Sequence, residues 1–190
     1  MPDKADTRSQ ILDVAQHLVQ QRGYNAVSYG DIGRHLGLRN ASLHYHFPSK
    51  TDLGVALVGR YHQRLEQTLR ALSTGSALQR LEQYVEAYRT VVHEDGRICL
   101  CTVLAAEDST LPAPVRTEVR AFLDLNEHWL TEVLHQGRHQ EQLSFPDSPA
   151  EAAAAVLATL EGAMILARTS GDVERFSRIA RRTIDALRAT

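Results

Sequence analysis

Apolar positions repeat at helical spacing along the whole of this chain. After Thr7, a suitable N-cap, Ile11, Leu12, Ala15 and Leu18 fall on one face, and Gly23 closes the segment. This predicts a first helix ending near Arg22. Ser28 then precedes YGDIGRHLG, in which Ile32 and Leu36 lie one turn apart and Gly37 stands as a C-terminal stop, a second and shorter helix. The next stretch, NASLHYHF, is ambiguous alone. Leu43, Tyr45 and Phe47 alternate with His44 and His46, as in a half-buried strand with two histidines on one face. On a helix, Leu43 and Phe47 share a face and the two histidines point to nearly opposite sides, unable to share an ion. The neighbours decide for helix. No second strand exists to pair with, and two short helices joined by a glycine-containing turn form a helix-turn-helix.

Pro48 and Ser49 break and cap the chain before a long fourth helix, from Lys50 to about Leu72. Leu78, Leu81, Val85, Tyr88 and Val92 mark another helix ending near Asp95 and Gly96, and ICLCTVLAAE a shorter apolar one. Val115, Val119, Phe122, Asn126, Trp129 and Val133 mark a long helix after Pro112 and Pro114. Val156, Leu160 and Met164 define one that stops at Gly171, and Val173, Phe176, Ala180, Ile184 and Leu187 define the last at near-heptad spacing. The only longer linker in this part is QEQLSFPDSP, residues 140–149. The expected fold is all-α.

Composition adds limits. With 190 residues, 43% hydrophobic and 23% charged, and no low-complexity tract, the chain has enough apolar surface for a folded core. The start, MPDKADTRSQ, is not followed by an apolar run, and no stretch approaches the roughly 18 apolar residues of a membrane span. The expectation is a cytoplasmic protein without a membrane partner. Two cysteines, Cys99 and Cys101, give no disulfide framework and suit a reducing compartment. The net charge of −2 is uneven: eight Lys and Arg against five Asp leave +3 on residues 1–64, and the rest carries −5. That permits a basic face near the N-terminus. No G-x-S-x-G, H-E-x-x-H or phosphate-cradling glycine loop occurs, so an enzyme is not expected and no catalytic residue is assigned. Nine histidines and two cysteines form no compact ligand set, so neither a metal sensor nor a cofactor is expected.

The order of these pieces resembles the TetR family of transcriptional regulators. The resemblance lies in residues 8–57, above all GYNAVSYGDIGRHLGLRNASLHYHFPSKTDL: the glycine after helix one, the DI pair of helix two, the LG turn, the S-L-x-Y-H-F block and the S-K start of helix four occur in order. Beyond them the chain is similar to the family only in helical layout and length. The resemblance implies a DNA-binding domain over residues 1–50, with a three-helix helix-turn-helix, and a helical ligand-binding and dimerisation domain over residues 51–190. It implies that helix three is a recognition helix in the major groove, with helix two across the backbone. Ser28, Ser42, His44, Tyr45 and Lys50 fall at positions that contact DNA in the family. Their hydroxyls, imidazole and ammonium suit phosphate oxygens. Two departures stand out. Arg39 occupies the place of a capping Ser or Thr, with Asn40 as the replacement cap and both added to the DNA-contact set. Gly30 replaces a basic or polar side chain, which implies fewer base contacts from helix two.

The implied partners are a double-stranded operator, a small-molecule effector and a second copy of the chain. Tyr84, Tyr88, Phe122, Trp129 and Met164 read first as core, and with Cys101, His128 and Arg168 they are the candidate effector-binding residues. For the dimer, small residues in AEAAAAVLATLEGAMILA and VERFSRIARRTIDAL suit close packing of the last two helices against a partner, with Val156 and Ile184 facing it. On one helix, Cys99 and Cys101 point about 200° apart, which disfavours a direct disulfide or a shared metal. Small buried hydrophobes are the plain reading of the pair, and an electrophile- or redox-sensing thiol in the cavity is the alternative. The expected activity is operator repression relieved by the effector.

Overall fold

The computed structural model describes residues 4–93 and 97–189, and all that follows concerns these. Nine α-helices run in order: α1 (Lys4–Arg22), α2 (Tyr29–Leu36), α3 (Asn40–His46), α4 (Lys50–Ala71), α5 (Ala77–His93), α6 (Leu100–Ala106), α7 (Ala113–His139), α8 (Pro149–Ser170) and α9 (Glu174–Asp185), with one 3-10 turn at Asp108–Thr110. The only β-type pairing among the described residues is an isolated antiparallel bridge between Leu143 and Arg188. The all-α expectation holds, and NASLHYH is helical, with Phe47 as its extended C-cap.

The chain forms two compact units. One contains the residues to Gln63 together with Leu100–Phe122, the other Arg64–Cys99 and the residues from Leu123 onward. In the first, α1 packs on α2 and α6, and α2 on α3. Ile11, Leu12, Leu18, Ile32, Leu43 and Leu57 are all at most 1% exposed. Burying each such side chain contributes about 1.5–3 kcal/mol. Phe47 closes this core beneath the end of α3. In the second, α8 packs on α9 and both pack on α5, around Leu81, Leu160, Met164, Phe176 and Ala180.

Helix ends follow local chemistry. Ser28 and Ser148 each close a capping box, with Asp31 and Glu151 respectively, and Gly37 and Gly171 end their helices at φ of 65°. Ser49 caps α4, its hydroxyl accepting from the Asp52 N–H at 3.1 Å. The tight turn into α3 also needs Gly33, because a Cβ there would meet the Leu38 carbonyl at 2.7 Å. The linker at residues 140–149 is pinned by Ser144 N–H to Leu187 C=O at 2.9 Å and by Ala77 N–H to the Gln142 side-chain oxygen at 2.9 Å.

Several expectations are corrected. Helix α1 begins at Lys4, with Asp6 in its first turn where a negative charge favours the helix dipole, so Thr7 lies inside the helix and is not its cap. Arg39 is the N-cap of α3 without a side-chain bond and Asn40 is already helical, so Asn40 is not a replacement cap. Residues 97–99 are not helical, which removes the helical-wheel argument for Cys99 and Cys101. Val156 and Ile184, 3% and 4% exposed within one protomer, face its own core. The expected helix end at Asp95 and Gly96 lies outside the described residues. Finally, α8 is long and apolar enough to cross a membrane, contrary to the reading that no stretch approaches a span. Half of its most apolar stretch is buried inside the fold, as in the core helix of a globular unit.

Candidate nucleic-acid interface

The site is built from the ends of three helices. At the start of α2, the Ser28 hydroxyl accepts from the Asp31 N–H at 3.2 Å, while the Ser28 N–H donates to the Asp31 carboxylate at 2.9 Å. Hydrogen bonds from the Ser28 hydroxyl and then its N–H, with the nearby Arg34 charge, hold the Asp31 carboxyl below its ordinary value. Of the first-turn N–H groups of α2, that of Asp31 is taken by the Ser28 cap, and those of Tyr29 and Gly30 have no acceptor within the helix. Gly30 leaves them approachable, since a Cβ there would touch nothing closer than Ser28 Oγ at 3.6 Å.

On α3, Leu43 is buried and His44 and Tyr45 are exposed; Tyr45 is 66% exposed, an apolar ring standing on the surface. Nδ1 of His44 lies 3.2 Å from the Pro48 carbonyl. A carbonyl only accepts, so Nδ1 carries the proton and Nε2 is the nitrogen turned outward. The His44 ring rests 4.6 Å from that of Tyr29, whose hydroxyl donates to the Phe47 carbonyl at 2.7 Å. Lys50 opens α4, with Nζ 3.4 Å from the Asn25 carbonyl and 4.6 Å above the Tyr24 ring. Burial lowers its pKa, and the carboxylates of Glu107 and Asp31 act in the opposite direction.

Ser28, Asn40, His44 and Lys50 come together around one open hollow with Asn25 and Tyr29, and no carboxylate lines it. Arg39, Ser42 and Tyr45 are not among its lining residues; Arg39 and Tyr45 are exposed and Ser42 is half-buried. An ammonium, an amide, a hydroxyl and an imidazole around an open surface are suited to phosphate oxygens.

The second compact unit holds a buried polar network. The Tyr84 hydroxyl donates to Asn126 Oδ1 at 2.7 Å and lies 3.2 Å from the Tyr88 hydroxyl, which donates to Glu161 at 3.1 Å. Trp129 stacks on Tyr84 at 5.1 Å. Burial, first, and the Glu161 charge push the Tyr88 hydroxyl well above the ordinary tyrosine value. Of the candidate effector residues, Tyr84, Tyr88 and Trp129 meet here. Met164 is buried in the same unit, Cys101 and Phe122 are buried in the other, and His128 and Arg168 are exposed. Both cysteines are buried and outside any disulfide, Cys99 at 2% exposure and Cys101 at 0%. Among the described residues, no three His, Cys, Asp or Glu side chains group as metal ligands.

Sequence reasoning placed Asn126 in the apolar repeat of its helix without giving it a role, and passed over Glu161 altogether. It also passed over Asn25, Tyr29 and Glu107.

A short helix, a glycine turn and a second helix with exposed donors define a helix-turn-helix DNA-binding protein. Residues 11–57 match the family described as bacterial regulatory proteins, tetR family, and residues 77–183 match the tetracyclin repressor-like C-terminal domain. The crystal structure of a TetR family transcriptional regulator from Agrobacterium tumefaciens superposes with a TM-score of 0.95 at 35% identity, over 98% of this chain and 100% of that one. A TetR transcriptional regulator from Legionella pneumophila superposes with a TM-score of 0.87 at 31% identity, over 97% of each chain. The HTH-type transcriptional repressor NemR of Escherichia coli K12 is 28% identical over 179 residues, covering 89% of this chain and 87% of NemR. The chain belongs to the TetR family and is a DNA-binding transcriptional regulator.

Proposed function

We propose that the protein is a cytoplasmic, homodimeric repressor that leaves its operator when a small molecule binds. Residues 1–50 form the DNA-binding domain, and residues 51–190 bind the effector and the second copy. The observation that carries the DNA side is the carboxylate-free hollow that gathers Ser28, Asn40, His44 and Lys50 beside the exposed Tyr45. With Arg39 and Ser42 they form the contact surface, in which phosphate contacts position α3 in the major groove.

Repression is supported by the similarity to a transcriptional repressor. The buried network of Tyr84, Tyr88, Asn126 and Glu161 supports an effector region in the second unit, since polar groups amid aromatic rings orient small ligands. Met164, His128 and Arg168 of the same unit complete the proposed effector set there, and Cys101 and Phe122 are buried in the other unit. The exposed face of α8 supports pairing with a second copy. Release is a population shift: the effector favours a spacing of the two recognition helices that no longer matches successive major grooves about 34 Å apart. Helix α4, whose residues belong to both units, is the proposed connection.

Selection of bound sequences from a random DNA pool should return a roughly palindromic site. On that DNA, Lys50→Ala should weaken binding and flatten the salt dependence by about one unit of slope. Absence of any selected site, or an unchanged slope, sinks this reading.

A further inference from the structure

Glu107 lies just beyond α6, outside the helix-turn-helix, and its carboxylate reaches the turn that leads into α2. It accepts from two successive backbone N–H groups, Tyr24 at 2.8 Å and Asn25 at 3.2 Å. Gly23, at φ +86°, begins this turn. Successive N–H groups beside a left-handed residue form a concavity that suits an anion, here supplied by the chain itself. Thr110 adds a second tie, its hydroxyl accepting from the Asn25 side-chain amide at 2.7 Å.

Tyr24 carries the constraint onward. Its hydroxyl donates to the Lys50 carbonyl at 2.9 Å, its ring lies 4.6 Å below the Lys50 ammonium, and the Asn25 carbonyl accepts from that ammonium at 3.4 Å. Glu107 therefore holds one end of Tyr24, and the other end of Tyr24 holds Lys50. We infer that Glu107 is a positioning residue for DNA binding, acting through Tyr24 and Asn25 to set the place of the Lys50 ammonium on the hollow. This rests on the reading that Lys50 meets a phosphate.

Charge and position predict opposite outcomes. A carboxylate near a DNA-facing lysine repels phosphate, so if only its charge mattered, Glu107→Gln would tighten binding. If it positions Lys50, Glu107→Gln weakens binding, because a neutral amide cannot accept both N–H groups with the strength of a carboxylate.

The test is a double-variant cycle on the selected DNA, with Glu107→Gln, Lys50→Ala and the pair, each measured across a salt series. Glu107→Gln is expected to weaken binding by about tenfold, the loss of one charge-assisted hydrogen bond. It should also remove most of the contribution of Lys50 to the salt slope, so that Lys50→Ala changes little further in its presence. Wild-type or tighter binding by Glu107→Gln, or additive effects of the two changes, overturns the inference while leaving the Lys50 reading intact. An unchanged slope for Lys50→Ala alone overturns both. Tyr24→Phe keeps the ring and removes only the hydroxyl bond to Lys50. It should lower affinity in the same Lys50-dependent way, and it decides the question if Glu107→Gln does not fold; affinity equal to wild type then counts against the inference.

Discussion

The hydroxyl of Tyr29 donates to the carbonyl of Phe47 across 2.7 Å, tying the start of α2 to the residue that ends α3. The bond is buried and links the start of α2 to the end of α3. Tyr29→Phe removes the donor and leaves the Phe47 carbonyl without it, at a cost of about 1–2 kcal/mol. Urea unfolding should show that loss, and affinity for the selected DNA should fall with it; equal stability would mean that water replaces the bond.

The same residue predicts a limit at high pH. Burial first, then the charge of Asp52 and the neighbouring Tyr24, push the Tyr29 hydroxyl up to about 12. The folded state thus holds this proton more tightly than the unfolded chain, where tyrosine titrates near 10. Its contribution is complete below about pH 10 and is lost as pH rises through about 12. Between those values the urea midpoint of the wild type should fall more steeply than that of Tyr29→Phe.

Asp31 gives the mirror case at acid pH. Hydrogen bonds from Ser28 depress its carboxyl, so its contribution is present above the ordinary value of 3.8 and disappears as pH falls through the depressed one. Thermal melts of Asp31→Asn should lose less than wild type across that acid range. Parallel acid limbs would show that the capping box does not couple to folding.

The proposed pairing face lies on α8. Ile165 and Leu166, 45% and 43% exposed, stand on its outer face with Ala154, Ala155 and Ala158, whereas Val156 lies in the core. Replacing both Ile165 and Leu166 by Glu should give folded monomers with poor operator affinity, since an unpaired charge in a pairing face costs several kcal/mol, to order of magnitude. Light scattering that still finds a dimer moves the interface elsewhere.

The thiols should be inert in the native protein. Cys99 and Cys101 are both almost fully buried, so a small alkylating reagent should modify neither until denaturant is added. Mass spectrometry counts the adducts. Labelling of either cysteine in the folded protein, with DNA released as it reacts, would restore the electrophile-sensing alternative.

Much of the architecture was legible in the order of residues because helix formation is settled within about one turn. The repeats of Ile11 to Leu18 and Val156 to Met164, the caps Ser28 and Ser49, and the stops Gly37 and Gly171 all act on residues three or four away. The helix-turn-helix could be read for that reason, whereas its candidate donors Ser28, Ser42, His44, Tyr45 and Lys50 came from the family resemblance. Where local signals competed, as at Thr7 and Asn40, the helix boundaries moved. What lies opposite a side chain is a long-range matter, and here only the tertiary structure decided. Val156 and Ile184 have the same spacing whether they meet a partner or their own core, and packing of α8 on α9 and α5 chose the core. Asn126 stood in the apolar repeat of its helix, but the partners of Asn126 and Glu161, Tyr84 and Tyr88, appeared only in the tertiary structure. Glu107 and Tyr24, 83 positions apart, meet because α6 packs on α1, a contact that no helical period can announce.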